Sequence, residues 1–282
     1  MTASPTGPDF AAPGARVCYR HSDRETGIAC QRCGRGICGE CMNPASVGFQ
    51  CPRCIGSDRS TTRQPRTRFG GRLSSRGDAP VTKALMVLAG VVFVLDIVSQ
   101  GRLNALMAQS NADIAAGQLW RLVTVGFTTG GLLSTALTVL VLFLVGRALE
   151  GVLGSGRFLV LYILSGLGGA TVLFVTGPLF LTALGGSGSV IGLLAANAAI
   201  KLRSREDIKP DLILLALLVG VNFVIGSVYG GLGQLGGAVT GLLGGLVLAF
   251  APRDKRTPVQ VMGLAAIVAV CLGAALAKIA LL

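Results

Sequence analysis

The chain has 282 residues, of which 51% are hydrophobic and only 13% charged, with 41 glycines and a formal net charge of +12. A mean hydropathy of +0.68 excludes an ordinary soluble domain, and abundant glycine suits helices that pack closely in lipid. The positive charge does not read as a nucleic-acid groove. It is concentrated in the arm before the first apolar run and in short turns between later runs, where it sets topology and meets lipid headgroups.

Residues 1–17 are rich in Pro, Ala and Gly and are expected to be disordered. The first 80 residues are polar, so no cleavable signal peptide is expected. Seven of the eight cysteines then fall between Cys18 and Cys54. Their spacing is Cys18-x2-His21, Cys30-x2-Cys33, Cys38-x2-Cys41 and Cys51-x2-Cys54. Four such pairs supply eight ligands, enough for two tetrahedral Zn²⁺ ions. With every ligand supplied by protein, no coordination position is left open, so the ions are expected to be structural rather than catalytic. A segment this short has few apolar side chains, and metal must provide most of its folding energy. Spacing alone leaves sequential and interleaved pairing of the four pairs both open.

This module, residues 18–55, resembles a B-box-type zinc finger with cross-brace ligation. The resemblance implies one ion on Cys18, His21, Cys38 and Cys41 and the other on Cys30, Cys33, Cys51 and Cys54. It also implies a protein-contact or regulatory role, with a cytoplasmic partner. Residues 56–82 follow as a flexible basic linker carrying Arg59, Arg63, Arg66, Arg68, Arg72 and Arg76, read as a tether along anionic lipid.

From residue 83 the chain becomes membrane-like. A helix rises about 1.5 Å per residue, so about 20 residues cross a hydrocarbon core of roughly 30 Å. Uncharged runs predict seven spans near 84–100, 124–146, 158–176, 187–202, 212–228, 234–251 and 258–280. Turns bearing Arg147/Arg157, Lys201/Arg203/Arg205/Lys209 and Arg253/Lys255/Arg256 alternate with turns at 177–186 and 229–233 that carry no charge. The positive-inside rule then expects a cytoplasmic N-terminus in a multi-pass protein of the cell (plasma) membrane. Cys271, alone in the last span, reads as a packing residue.

One constellation in the spans carries chemistry. Gly185-Gly186-Ser187-Gly188 opens a helix, and a serine there can act as a nucleophile with backbone N–H groups as oxyanion donors. Alternatively, small residues at that position simply let helices approach. Further residues mark a resemblance to the rhomboid family of intramembrane serine proteases over about residues 84–250. They are Trp120-Arg121; Glu150, Gly154, Arg157, Phe158, Tyr162, Ser165 and Gly166; Gly185-x-Ser187-Gly188; and Gly237-x3-Gly241. The resemblance implies an all-α polytopic fold: a rhomboid-like six-helix core plus one C-terminal helix, behind a small two-zinc finger. A finger of this kind ahead of such a core also resembles an actinobacterial subgroup of the family.

The chain departs from the family where the chemistry sits. The resemblance places the nucleophile at Ser187, and at the partner histidine's position stands Gln234. Thr129, Ser134 and Thr138 replace a His-…-His-…-Asn pattern that helps stabilise the oxyanion, Thr138 standing at the Asn position. The chain's one histidine, His21, belongs to the zinc module. A serine needs a neighbouring base to take its proton, and glutamine does not titrate. The sequence therefore predicts a catalytically degenerate member that binds transmembrane segments of client proteins. The alternative is an active endopeptidase that uses Ser187 with an unconventional base, for which Asp96 and Lys278 are the candidates. A transporter or channel is disfavoured, because the spans hold few polar residues (Asn197, Asn222, Gln234).

Overall fold

The computed structural model describes residues 16–61, 79–128, 130–184, 186–225, 228–251 and 256–282. The disorder expected over residues 1–17 lies outside them as far as residue 15, whereas Arg16 and Val17 are in a strand paired with Glu25 and Thr26; most of the basic linker, Thr129, Gly185 and residues 252–255 also lie outside. The chain divides into two compact units, residues 1–64 and 65–282.

The first unit is built from short pieces. Strands β1 (Arg16–Val17) and β2 (Glu25–Thr26) pair antiparallel, as do β3 (Asn43–Pro44) and β4 (Phe49–Gln50); a helical segment, α1 (Pro52–Thr61), follows. Its buried interior consists of Ile37 and five cysteines, with Tyr19, Met42 and Cys54 packed around them. One fully buried aliphatic side chain contributes only about 1.5–3 kcal/mol. The segment therefore has almost no core besides its sulfur atoms.

The second unit is helical. Its first helix, α2 (Pro80–Val98), starts with proline in its first turn, where the missing N–H costs nothing. Short elements follow: α3 (Arg102–Met107), β5 (Gln109–Ser110), α4 (Asn111–Ala115) and α5 (Arg121–Thr124). The next span begins at Leu132 rather than near 124, because Gly131 adopts φ +116°, which interrupts any helix before it. From there α6 (Leu132–Val141) continues through a π-helical turn (Leu142–Gly146) into α7 (Arg147–Leu153). Then come α8 (Ser155–Thr176), β6 (Thr182–Ala183), α9 (Ser187–Ser204), α10 (Lys209–Ile225), α11 (Val228–Phe250) and α12 (Arg256–Ala280).

Five described helical stretches are long and apolar enough to cross a membrane: Pro80–Val98, Leu132–Leu153, Ser155–Thr176, Val228–Phe250 and Thr257–Ala280. Helix α9 is enclosed on every side, with Ser189 through Ile200 all buried. Helices α8, α9 and α11 pack most closely and form the centre; α10 lies against α9 and α11, and α12 against α8 and α11.

Glycine sets this centre. Along α11, a side chain at Gly237 would run into the backbone of Gly188, one at Gly241 into Gly192, and one at Gly245 into Ala196. Spacing of four residues on both helices makes one continuous backbone-to-backbone contact, the small-residue packing used where lipid supplies no hydrophobic drive. On the third side, Gly169 of α8 lies against Gly188 and the Gly233 carbonyl.

Buried polar residues tie the remaining elements to this centre. Glu150 is 3% exposed, and its carboxylate accepts from the N–H groups of Val81 (3.1 Å) and Thr82 (2.7 Å), the Thr82 hydroxyl (2.7 Å) and Ser155 Oγ (2.6 Å). A negative charge thus sits on the free N–H groups at the start of α2. Gly154 turns the chain at φ +84°, and Phe158 fills the core. Arg121 donates to the carbonyls of Ala105 (3.0 Å) and Ala108 (2.9 Å) and to Gln118 Oε1 (2.8 Å), and pairs with Asp113 at 3.2 Å. It holds the loop region between α2 and α6 together. Between α9 and α10, Asp211 accepts from Asn197 Nδ2 (2.9 Å) and Lys201 Nζ (2.7 Å).

Candidate functional site

In the first unit the eight predicted ligands gather into two clusters, Cys18/His21/Cys38/Cys41 and Cys30/Cys33/Cys51/Cys54. Within each, the ligand atoms lie within 4.8 Å of one another. The grouping is interleaved along the chain, which spacing alone left open. His21 Nδ1 is 3.3 Å from Cys38 Sγ, 3.6 Å from Cys41 Sγ and 3.9 Å from Cys18 Sγ. Cys33 Sγ is 3.7 Å from Cys51 Sγ. A tetrahedral ion with bonds of about 2.0–2.3 Å has ligand–ligand edges of about 3.3–3.8 Å, so both donor sets fit one metal ion each. All of these cysteines are free of disulfides.

Local backbone explains the geometry. Gly34, at φ +72°, lets the chain fold back so that its N–H bonds the Cys30 carbonyl at 2.8 Å. Backbone N–H groups also point at sulfur, that of Cys51 at Cys30 Sγ (3.2 Å) and that of Cys54 at Cys51 Sγ (3.4 Å). Burial raises the Cys18 and Cys30 thiols, but backbone N–H donors outweigh it and bring both down to about 6. Burial and the neighbouring sulfurs push Cys41 up to about 11, and the Cys51 side chain leads in pushing Cys54 up to about 12. Neighbouring sulfurs thus oppose ionisation of Cys41 and Cys54, an opposition that a cation bound among them would relieve.

In the second unit, Ser187 is the first residue of α9 and half-buried. The preceding turn is pressed against its neighbours. Gly186 N–H bonds the Thr128 carbonyl at 3.1 Å, and a side chain at Gly186 would collide with the Gly126 carbonyl. The Gly126 carbonyl also accepts from the Tyr162 hydroxyl at 2.9 Å. Gly186 and Tyr162, both singled out in the sequence, thus meet at the Gly126 carbonyl beside the turn that presents Ser187.

Ser187 opens on a cavity of about 50 Å³, room for a few water molecules. Its lining includes Gln109, Gly126, Gly166, Gly169, Gly230, Gly233 and Ser189 and, among the described residues, no titratable side chain. Two of its polar groups were not singled out from the sequence. Gln109 Oε1 and Ser189 Oγ are buried without a hydrogen-bond partner among the described residues. Nothing in the sequence marks Gln109; pairing of β5 with β6, Gln109 opposite Ala183, brings it here.

Gln234 is 2% exposed on α11, beside Gly233. Its Oε1 accepts no hydrogen bond, so it does not hold the Ser187 hydroxyl through that atom. Thr138 lines a separate cleft of about 10 Å³ that shares Gly126 and Gly186 with the serine cavity.

Both candidate substitute bases are engaged elsewhere. Asp96 accepts from the Asn104 backbone N–H (2.9 Å) and side-chain amide (2.7 Å). The Lys278 side chain is held against α8. Its ammonium donates to the carbonyls of Phe174, Val175 and Gly177 and lies 5.0 Å from the Phe174 ring centre, capping the end of α8. Cys271 packs in a buried cluster with Leu122 and Phe174.

A membrane helix bundle with a serine at the head of its central, glycine-packed helix defines the class. The comparisons narrow it. The rhomboid-domain family model matches residues 116–254. The Rhomboid protease GluP of Bacillus subtilis (strain 168) is 30% identical over 185 residues, covering 62% of this chain and 35% of GluP. The Putative rhomboid protease YdcA of the same organism is 31% identical over 151 residues, covering 52% of this chain and 73% of YdcA. RHOMBOID-like protein 4 of Arabidopsis thaliana is 31% identical over 142 residues, covering 48% of this chain and 35% of that protein. The chain belongs to the rhomboid family and is a multi-pass membrane protein.

Proposed function

We propose that this chain is a rhomboid pseudoprotease of the cell membrane, which binds transmembrane helices of client proteins without cleaving them. The observation that carries the reading is the cavity at Ser187, among whose described lining residues no side chain can take a proton from the serine. The two side chains that might have substituted are already hydrogen-bonded: Asp96 to Asn104 and Lys278 to three carbonyls. Removing one member of a catalytic serine constellation typically costs several orders of magnitude in rate. The bundle itself, with its lipid-facing helices and small-residue contacts, retains what helix binding needs.

The N-terminal unit, on this reading, lies in the cytoplasm and holds two structural Zn²⁺ ions. Soft thiolate donors in closed four-ligand sets favour zinc, and thiols persist in a reducing compartment. The module then recruits a cytoplasmic protein partner.

A second reading has one observation in its favour. Ser187 stands at a helix start, beside a cavity large enough for water, and two relatives carry the name protease. An active intramembrane endopeptidase would label with a fluorophosphonate, because such probes report an activated serine. The purified full chain, tested beside Ser187→Ala on a single-span substrate and with the probe, separates the two readings. Co-purification of intact single-span proteins with an unlabelled chain supports the first.

A further inference from the structure

The two metal centres are unequal. In the Cys18/His21/Cys38/Cys41 cluster all three sulfurs are buried, and only the imidazole is partly open to solvent. In the other cluster Cys33 is exposed and Cys54 half-exposed. Four thiolates around a divalent ion leave a net charge of −2, against −1 for three thiolates and a neutral imidazole, so sulfur in the four-cysteine centre is the more electron-rich. Cys30 and Cys51 each receive a backbone N–H bond that withdraws electron density from sulfur.

We propose that the four-cysteine centre is an oxidative modification site that opens at Cys33 under hydroperoxide, while the three-cysteine/histidine centre keeps its ion. The inference rests on the metal reading above. The Cys33 thiolate attacks one oxygen of hydrogen peroxide; the S–O bond forms, the O–O bond breaks, and hydroxide leaves. The Cys51 thiolate, 3.7 Å away, then attacks the Cys33 sulfur. The S–S bond forms, the S–O bond breaks, and a second hydroxide leaves. Two thiolates have lost two electrons and one peroxide has been reduced to two hydroxides. Cys30 and Cys54 alone would not complete a four-ligand set, so this centre would lose its ion. A thiol reductant reverses the disulfide.

The test uses the full chain in detergent, its metal content measured first. Graded hydrogen peroxide is then added, released zinc is followed with a chromogenic chelator, and cysteine states are mapped by differential alkylation and peptide mass spectrometry. The expected result is biphasic release. One ion leaves several-fold faster than the other, with a Cys33–Cys51 disulfide forming at the same rate and Cys18, Cys38 and Cys41 still reduced. Fewer than two ions before peroxide overturns the metal reading and this inference with it. Two ions lost together, or first oxidation at Cys18, Cys38 or Cys41, overturns the inference alone.

Discussion

The metal module and the serine site place similar demands on precision, and the chain meets them differently. Each metal cluster has four donors at tetrahedral spacing from two interleaved pairs, so no ligand is missing. At the serine site the turn, the glycine contacts and the Tyr162–Gly126 bond are all in place, yet the described residues of the cavity wall include no base. In the first region the functional atoms also organise the fold, because little else is buried there. In the second, the described packing rests on glycine contacts and buried hydrogen bonds away from the Ser187 hydroxyl. On the function proposed above, a scaffold of that kind keeps its fold without the chemistry, whereas a metal module needs its ligands.

That contrast predicts a ranked set of outcomes. The largest effect belongs to metal removal. A strong chelator, or Cys38→Ser, should abolish proteolytic protection of residues 16–55, since structural zinc in finger peptides supplies about 10–16 kcal/mol. Helicity of the membrane unit should stay unchanged by circular dichroism; a cooperative loss of both would break the comparison. Next comes Gly241→Leu, which drives a side chain into the Gly192 backbone. Overpacking there should cost about 3 kcal/mol or more and yield aggregated protein on size-exclusion chromatography. For Glu150→Gln, the shape survives but the charge on the α2 N-terminus is lost. A loss of about 1–3 kcal/mol in thermal or denaturant unfolding is expected. Lys278→Met removes the cap on α8 and should cost about 1–2 kcal/mol; an unchanged unfolding midpoint would mean the cap contributes nothing.

Much of this was legible in residues alone. Cysteine pairs fix metal chemistry because ligand spacing is local, and the Glu150–Gly166 stretch and Gly237-x3-Gly241 mark packing positions that the bundle uses. What sequence could not give is what depends on distant chain segments meeting. Spacing left the pairing of the metal ligands open, and the resemblance to a B-box-type finger supplied the interleaved sets that the clusters adopt. Gln109 reaches the serine cavity only through β5–β6 pairing, and Asp211 meets Asn197 and Lys201 only across α9 and α10. Lys278 meets its partners for the same reason: it stands on α12, but the carbonyls it caps lie at the end of α8. The onset of the second span depended on the left-handed backbone at Gly131, and glycine pairs alone do not reveal that geometry.

The central claim concerns Ser187, where removal should matter least. Fluorophosphonate labelling and cleavage of a single-span membrane substrate should be compared for the full chain and Ser187→Ala at equal, folded concentrations. The account predicts no labelling and no cleavage by either protein, with unfolding midpoints that agree within about 0.5 kcal/mol, as for a substitution that breaks no buried partner. Labelling or cleavage by the unaltered chain that disappears in Ser187→Ala would contradict it, and would show that the serine finds a base the cavity wall does not contain.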